Sequence, residues 1–176
     1  MKKLVVVING SGGVGKDTLC GFVSEEYRVR NISSVDPIKE LARIAGWEGE
    51  KTDRARKMLS DLKRLFTEYN DLPLRYIREQ HEQFLKSDEQ VMFVHIREPE
   101  EIARFVETAP EQIRTLLITN SSREPAVYGN VSDDNVALYQ YDGMYDNQYP
   151  LEETKELFLR FFCHYFEEYA FMANGV

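Results

Sequence analysis

The chain has 176 residues, 43% of them hydrophobic and 12% aromatic, with a formal net charge of −8. That is apolar material for one core and one domain, 1–176, and the acid excess argues against a nucleic-acid polymer as partner. No apolar run approaches the ~20 residues of a bilayer span, and MKKLVVVINGSGG lacks a signal peptide's long apolar stretch and cleavage site, so a cytoplasmic protein without membrane contact is expected.

Taken in order, the elements alternate between strand and helix. Lys3 to Ile8 reads as a buried strand, and Lys16 to about Arg28 as a helix with Leu19, Phe22 and Val23 inward. An extended piece, Val29 to Val35, meets Asp36-Pro37, where Asp is a natural N-cap and Pro a first helical residue for a helix through Ala45. Thr52 and Asp53 open a helix whose Ala55, Met58, Leu59, Leu62, Leu65, Phe66 and Tyr69 recur at helical spacing, a stripe expected to be core. Pro73 opens the next helix, to about Lys86, with Leu74, Ile77, His81, Phe84 and Leu85 on one face; His81 is expected in the core or an interface.

Val91 to Ile96 is a second central strand, Pro99 to about Thr108 a helix, and Ile113 to Thr119 a third strand. Asn120 to Asn135 is polar and rich in turn residues, Val136 to Tyr141 reads as the last strand, and Leu151 to about Ala170 closes as an amphipathic helix that packs Leu157, Phe158, Phe161, Phe162, Tyr165 and Tyr169 and leaves His164 at the surface. The pattern is α/β. Cys20 and Cys163 fall inside helices without partners at metal-ligand spacing and read as free buried thiols.

The segment GSGGVGKDT, from Gly10 through Ser11, Gly12, Gly13, Val14, Gly15, Lys16 and Asp17 to Thr18, fits G-x-x-x-x-G-K between a strand and a helix. Glycines let the backbone turn its N–H groups inward around phosphate oxygens, the helix N-terminus adds partial positive charge, and Lys16 adds a full one within reach of the β and γ phosphates of ATP. Position 17 is usually a hydroxyl that ligates Mg²⁺; Asp17 can serve that hard cation directly or through water, and Thr18 can supply a hydroxyl instead. As a first-turn acid, Asp17 is also favoured by the helix dipole alone.

The sequence resembles the P-loop nucleoside monophosphate kinases, and most closely the deoxynucleoside monophosphate kinases of bacteriophage type. The resemblance rests on GKDT (Gly15 to Thr18), DPIKE (Asp36 to Glu40), VMFVHIREPEEI (Val91 to Ile102) and YDGMYDNQYPLEE (Tyr141 to Glu153). It implies a doubly wound, five-stranded parallel sheet of the P-loop kinase type, a helical acceptor-binding insertion over 37–86 and a short lid over 120–135. The implied reaction moves the ATP γ-phosphoryl group to a nucleoside monophosphate, deoxynucleotides foremost. Phosphomevalonate kinases share the GKD loop and the strand-end arginine, and dephospho-coenzyme A kinases are a more distant alternative. A nucleotide-binding sensor or slow NTPase is an alternative of another class. The family usually carries Asp before its strand-end arginine; here the strand ends in His95.

Transfer between two nucleotides needs cations at both ends and on the moving group. Between Lys51 and Lys86 nine Lys or Arg stand against six Asp or Glu, whereas from Ser121 onward three basic residues face ten acidic ones. Arg75 and Arg78, at i and i+3, can face one ligand. By resemblance, Asp36, Lys39 and Arg97 belong to the acceptor site, with Arg56 and Arg78 as helpers, and Arg123 is the lid's transition-state arginine. Lys16, Arg97 and Arg123 are thus the expected catalytic cations, ATP and Mg²⁺ the expected cofactors, small nucleotides the expected ligands, and a homodimer is compatible with the chain.

Overall fold

The computed structural model describes residues 3–109, 113–122 and 136–172, with the side chains of 137 and 166–172 left aside. Its described strands are β1 (Leu4–Asn9), β2 (Val29–Ser33), β3 (Val91–His95), β4 (Ile113–Thr119) and β5 (Gly143–Asp146). The described helices are α1 (Lys16–Glu26), α2 (Asp36–Ile44), α3 (Asp53–Asn70), α4 (Leu72–Lys86), α5 (Pro99–Val106) and α6 (Leu151–Met172).

The strands form one parallel sheet in the order β2-β3-β1-β4-β5. Strand β1 sits at the centre and is buried on both faces, which is why its sequence is a continuous apolar run rather than an alternation. Its even residues, Leu4, Val6 and Ile8, pack with Leu19, Cys20 and Val23 of α1 and Phe158 and Phe162 of α6. Its odd residues, Val5 and Val7, pack with Leu74, Ile77 and Phe84 of α4 and Ile102 and Phe105 of α5. The sheet is therefore covered on both sides, the doubly wound arrangement expected.

After β1 the chain leaves toward β2, while after β3 it crosses back to β4 on the other side of β1. Adjacent strands whose connections diverge open a crevice at their carboxyl ends, and here that crevice lies beyond Asn9 and His95.

Several expectations are corrected. Val136–Leu138 is a 3₁₀ turn, and the last strand is Gly143–Asp146, which pairs with Leu116–Thr119. The alternating Val136-to-Tyr141 segment is drawn off the sheet because Tyr139 and Tyr141 pack against the α4–α5 side of the core. Asp142 then takes the N–H and hydroxyl of Thr115, each at 2.8 Å, and starts the strand. Gly143 fits there because a Cβ would stand 2.8 Å from the Tyr165 ring.

The α3 stripe is only half core: Ala55 is buried and Leu59 and Phe66 are half-buried, but Leu65 is 54% and Tyr69 79% exposed. The helix rests on its neighbours along one edge of the stripe, so periodicity located the apolar face without locating its cover. Likewise Leu85 of α4 is exposed, although Leu74, Ile77, His81 and Phe84 are buried as expected. Finally, Asp36 does not cap α2; its Oδ2 accepts the N–H of Ser33 at 2.7 Å, closing the turn before the helix. Of the thiols, Cys20 is buried and Cys163 half-buried 3.5 Å from the Tyr27 hydroxyl.

Candidate functional site

The loop between β1 and α1 has the backbone its glycines anticipate. Gly10, Gly13 and Gly15 hold φ of 149°, 78° and 94°, conformations that side chains resist. At Gly10 space is equally restrictive, because a Cβ would fall 2.3 Å from the Ile118 carbonyl oxygen. The Lys16 ammonium folds back over the loop and donates to the carbonyls of Gly10 and Ser11, the latter at 2.9 Å. Asp17 and Thr18 are exposed in the first turn of α1.

Residues outside the loop hold it in place. Asn9, 1% exposed, accepts the Gly10 N–H on Oδ1 at 2.8 Å and donates from Nδ2 to the Arg97 carbonyl at 3.2 Å and the Tyr141 hydroxyl at 2.8 Å. One side chain thus ties the start of the loop to the end of β3. Burial raises the Tyr141 phenol to about 12 against the opposing hydrogen bond from Asn9, and its hydroxyl donates on to the Val136 carbonyl at 2.8 Å. On the other flank, Asn147 donates to the Val14 carbonyl at 2.8 Å. Sequence reading missed both asparagines, though a polar residue ending an otherwise apolar strand was a signal for Asn9.

The end of β3 faces the loop. His95 Nε2 lies 2.8 Å from Asn31 Oδ1, an acceptor, so this nitrogen carries the proton. Burial lowers the His95 pKa to about 4; Asp17 and Asp36 oppose that effect, and Lys16 and Lys39 add to it. Neutral at pH 7, His95 therefore sits in the field of both the β1–α1 loop and the start of α2. The neighbouring Cys20 thiol is pushed up by burial and by Asp17, so it stays un-ionised.

The acceptor-side residues named from the sequence are placed unevenly. Asp36 Oδ1 is 3.4 Å from the Lys39 ammonium, and both side chains are about a third exposed. Arg97 is exposed at the carboxyl end of β3, its carbonyl held by Asn9. Arg56 lies on α3, 3.6 Å from Asp53, with both groups open to water. Arg75 and Arg78 are exposed on α4, and among the described residues no hydrogen bond or ion pair joins either side chain to the loop or to α2. The α4 residue that does feel Asp36 and Glu40 is Tyr76, whose phenol is raised first by burial and then by those acids. Arg123 lies outside the described residues.

A buried ion network beneath these residues escaped the sequence reading. Lys63 of α3 donates to Ser34 Oγ at 3.0 Å, to Glu98 at 2.5 Å and to Glu101 at 2.8 Å, with only 15% of its side chain exposed. Burial and the Glu98 charge raise Glu101 to about 7 despite Lys63; for Glu98, burial is outweighed by the charge and hydrogen bond of Lys63 and a hydrogen bond with Glu101, so its pKa falls. Glu101 is thus the carboxyl of the pair that holds its proton more tightly, and α3 is fastened to the turn before α2 and to the start of α5.

Loop geometry and charge fit a nucleoside triphosphate: Gly10, Gly13 and Gly15 hold positive-φ conformations that turn the backbone tightly, and the Lys16 ammonium lies over the loop. For Mg²⁺ the local donors are the Asp17 carboxylate and Thr18 hydroxyl. Among the described residues no cluster of three or more His, Cys, Asp or Glu could hold a metal. One or two protein ligands suit Mg²⁺, which keeps most of its waters, so the donor set is compatible with it.

No protein-family model matches the chain, and no curated protein matches it. Solved structures do. A shikimate kinase from Bacteroides thetaiotaomicron superposes with a TM-score of 0.54 at 17% identity, covering 93% of this chain and 98% of that one. A gluconokinase from Sinorhizobium meliloti 1021 gives 0.53 at 17% identity over 97% of both chains. A sugar kinase from Janibacter gives 0.51 at 18% identity over 91% of this chain and 94% of that one. The chain shares the α/β fold of these kinases, a five-stranded parallel sheet covered by helices on both faces, and its glycine-rich loop joins β1 to α1. Among the described residues no helix is long and apolar enough to cross a membrane.

Proposed function

We propose that the protein is a phosphotransferase that uses Mg·ATP and passes the γ-phosphoryl group to a nucleoside monophosphate, with deoxynucleotides the foremost acceptors. The observation that carries this reading is the convergence at His95. His95 pairs with Ile8 of β1 on one side and Ser33 of β2 on the other, so the loop that leads to Lys16 and the turn that leads to Asp36 and Lys39 leave the sheet on either side of it.

In this reading the N–H groups of Gly10 to Thr18 and the Lys16 ammonium hold the triphosphate, with Lys16 exchanging its contacts with the Gly10 and Ser11 carbonyls for phosphate oxygens. Asp17 and Thr18 would hold Mg²⁺, which when bound offsets phosphate charge. Without that cation Asp17 would face the triphosphate at a cost of about 4 kcal/mol, taking ~4 Å and an effective dielectric of 20. Arg97 and Lys39 orient the acceptor phosphate, with Asp36 keeping Lys39 in place across 3.4 Å. Arg56, Arg75 and Arg78 enter as longer-range cations, and Arg123 as a cation for the transition state. In-line transfer needs positioning and charge stabilisation rather than a protein nucleophile. His95, neutral and held by Asn31, lines the crevice without adding charge.

A second reading has a specific observation in its favour. Asp36 is a partly exposed carboxylate at the crevice, able to take the proton of an attacking hydroxyl, and the superposing structures include shikimate, gluconate and sugar kinases. A small hydroxyl-bearing acceptor would use it so. ADP formation measured with nucleoside monophosphates, shikimate, gluconate, sugars, phosphomevalonate and dephospho-coenzyme A separates the two: acceleration by a nucleotide supports the first reading, and acceleration only by a non-nucleotide replaces it.

A further inference from the structure

We infer that Asn147 is a positioning residue for the phosphate loop, a strut that fixes the orientation of the Val14–Gly15 peptide; this rests on the reading of residues 10–18 as a triphosphate site. Asn147 is 133 positions from Val14 in sequence, yet its Nδ2 donates to the Val14 carbonyl at 2.8 Å. A planar trans peptide points its N–H opposite to its C=O. Holding the Val14 carbonyl outward therefore aims the Gly15 N–H the other way, into the loop. Reversal of this one peptide would replace a donor with a carbonyl oxygen facing phosphate.

The strut is itself rigidly mounted. The Asn147 main-chain N–H bonds the Thr119 carbonyl at 2.8 Å, continuing the β4–β5 pairing by one residue. Immediately before it, Asp146 accepts from the Thr119 hydroxyl at 3.1 Å and the Ser121 N–H at 2.8 Å. Opposite the strut stands Gly15 at φ 94°, where a Cβ would come 2.5 Å from Asn147 Nδ2. The close approach requires both residues: a glycine to admit the amide and an amide to hold the carbonyl. Asn147 Oδ1 is buried and has no hydrogen-bond partner among the described residues. Only the donor end of the side chain is thus engaged, which fits a residue kept for that one bond.

The test compares ATP binding by calorimetry, acceptor KM and thermal unfolding for the full chain and its variants. Asn147→Leu is nearly isosteric, adds no charge and deletes the donor along with the unpartnered Oδ1. It is expected to weaken ATP binding by about tenfold, the scale of one net hydrogen bond, with the acceptor KM unchanged and a Tm within a few degrees of the parent. Asn147→Ala should behave alike toward ATP, and Asn147→Gln, which keeps the donor, should recover part of the loss. Parent-like ATP affinity in the Leu and Ala variants overturns the inference, as does an equal loss for ATP and acceptor, which would mark a general structural role. Lys16→Ala separates the two levels: if it loses ATP while Asn147→Leu does not, the strut is wrong and the loop reading stands. If Lys16→Ala retains ATP, the loop reading falls and the strut with it.

Discussion

The two sides of the crevice are built on different principles. On the loop side, the groups proposed to face ATP come from one contiguous stretch, Gly10 to Thr18, and neutral asparagines, Asn9 and Asn147, hold its backbone. On the α2–α4 side, charged groups come from separate helices, and several are already paired with acids: Lys39 with Asp36, Arg56 with Asp53, Lys63 with Glu98 and Glu101. A backbone cradle is specified by glycines and geometry and serves one ligand chemistry. A set of side-chain cations balanced by carboxylates can be retuned by single substitutions, which is how acceptor choice would vary on one fold.

The sharpest way to break this contrast is at Lys16. Replacing it by alanine removes one preorganised cation, and steady-state transfer should fall by at least ~10² to 10³-fold. Turnover at the parent rate would show that the cradle does not handle phosphate.

On the other side the largest expected effect is on the fold. Lys63→Met leaves Glu98 and Glu101 in a largely buried site without their cation and should cost about 3–5 kcal/mol in denaturant unfolding. A loss below ~1 kcal/mol, the scale of an exposed pair, would mean that α3 is not fastened through this network.

Next is Arg97→Ala. Losing one charge-assisted hydrogen bond worth roughly 1.5–3 kcal/mol should raise the acceptor KM some ten- to hundredfold and leave ATP affinity nearly unchanged. A change in ATP affinity instead would move Arg97 to the loop side.

The smallest effect is in pH dependence, and its signs can be derived. Glu101 is raised from 4.5 to about 7, so the native state holds its proton more tightly, and this contribution to stability is present below 4.5 and lost as pH rises through 7. His95 is lowered from 6.5 to about 4, and burial lowers His81 as well, so protonation of the unfolded chain makes stability fall as pH drops below 6.5. Glu98, shifted down, adds a loss confined to pH below 4.5. Between pH 4.5 and 6.5 Glu101 opposes the histidines. Glu101→Gln should therefore steepen the loss of stability on acidification there, and His95→Gln should reduce it. Identical profiles for both variants would contradict the assignment.

How much was legible follows the same division. The strand–loop–helix signature around Gly10 to Thr18 was readable because its chemistry is local, and β1, β3, β4 and the helices followed from apolar runs and periodicity. The last strand was misread because Val136 to Tyr141 carries the strand-like pattern, whereas Tyr139 and Tyr141 pack off the sheet and Gly143 opens the true strand by admitting the Tyr165 ring. The α3 stripe predicted an apolar face but could not indicate that Leu65 and Tyr69 stay exposed. Asn147 and the Lys63 network were invisible because their partners are far away in sequence, whereas the Asp53–Arg56 and Asp36–Lys39 pairs stand at i,i+3, a spacing that local helix geometry already offered.

The central claim, that two charged sides meet to move a phosphoryl group onto a nucleotide, is tested most directly by ADP formation from Mg·ATP with and without each candidate acceptor. The account predicts that a nucleoside monophosphate, a deoxynucleotide foremost, accelerates ADP formation well above the rate with ATP alone, and that Arg97→Ala weakens this response. ATP binding without acceleration by any acceptor would contradict it and leave a nucleotide-binding sensor in its place.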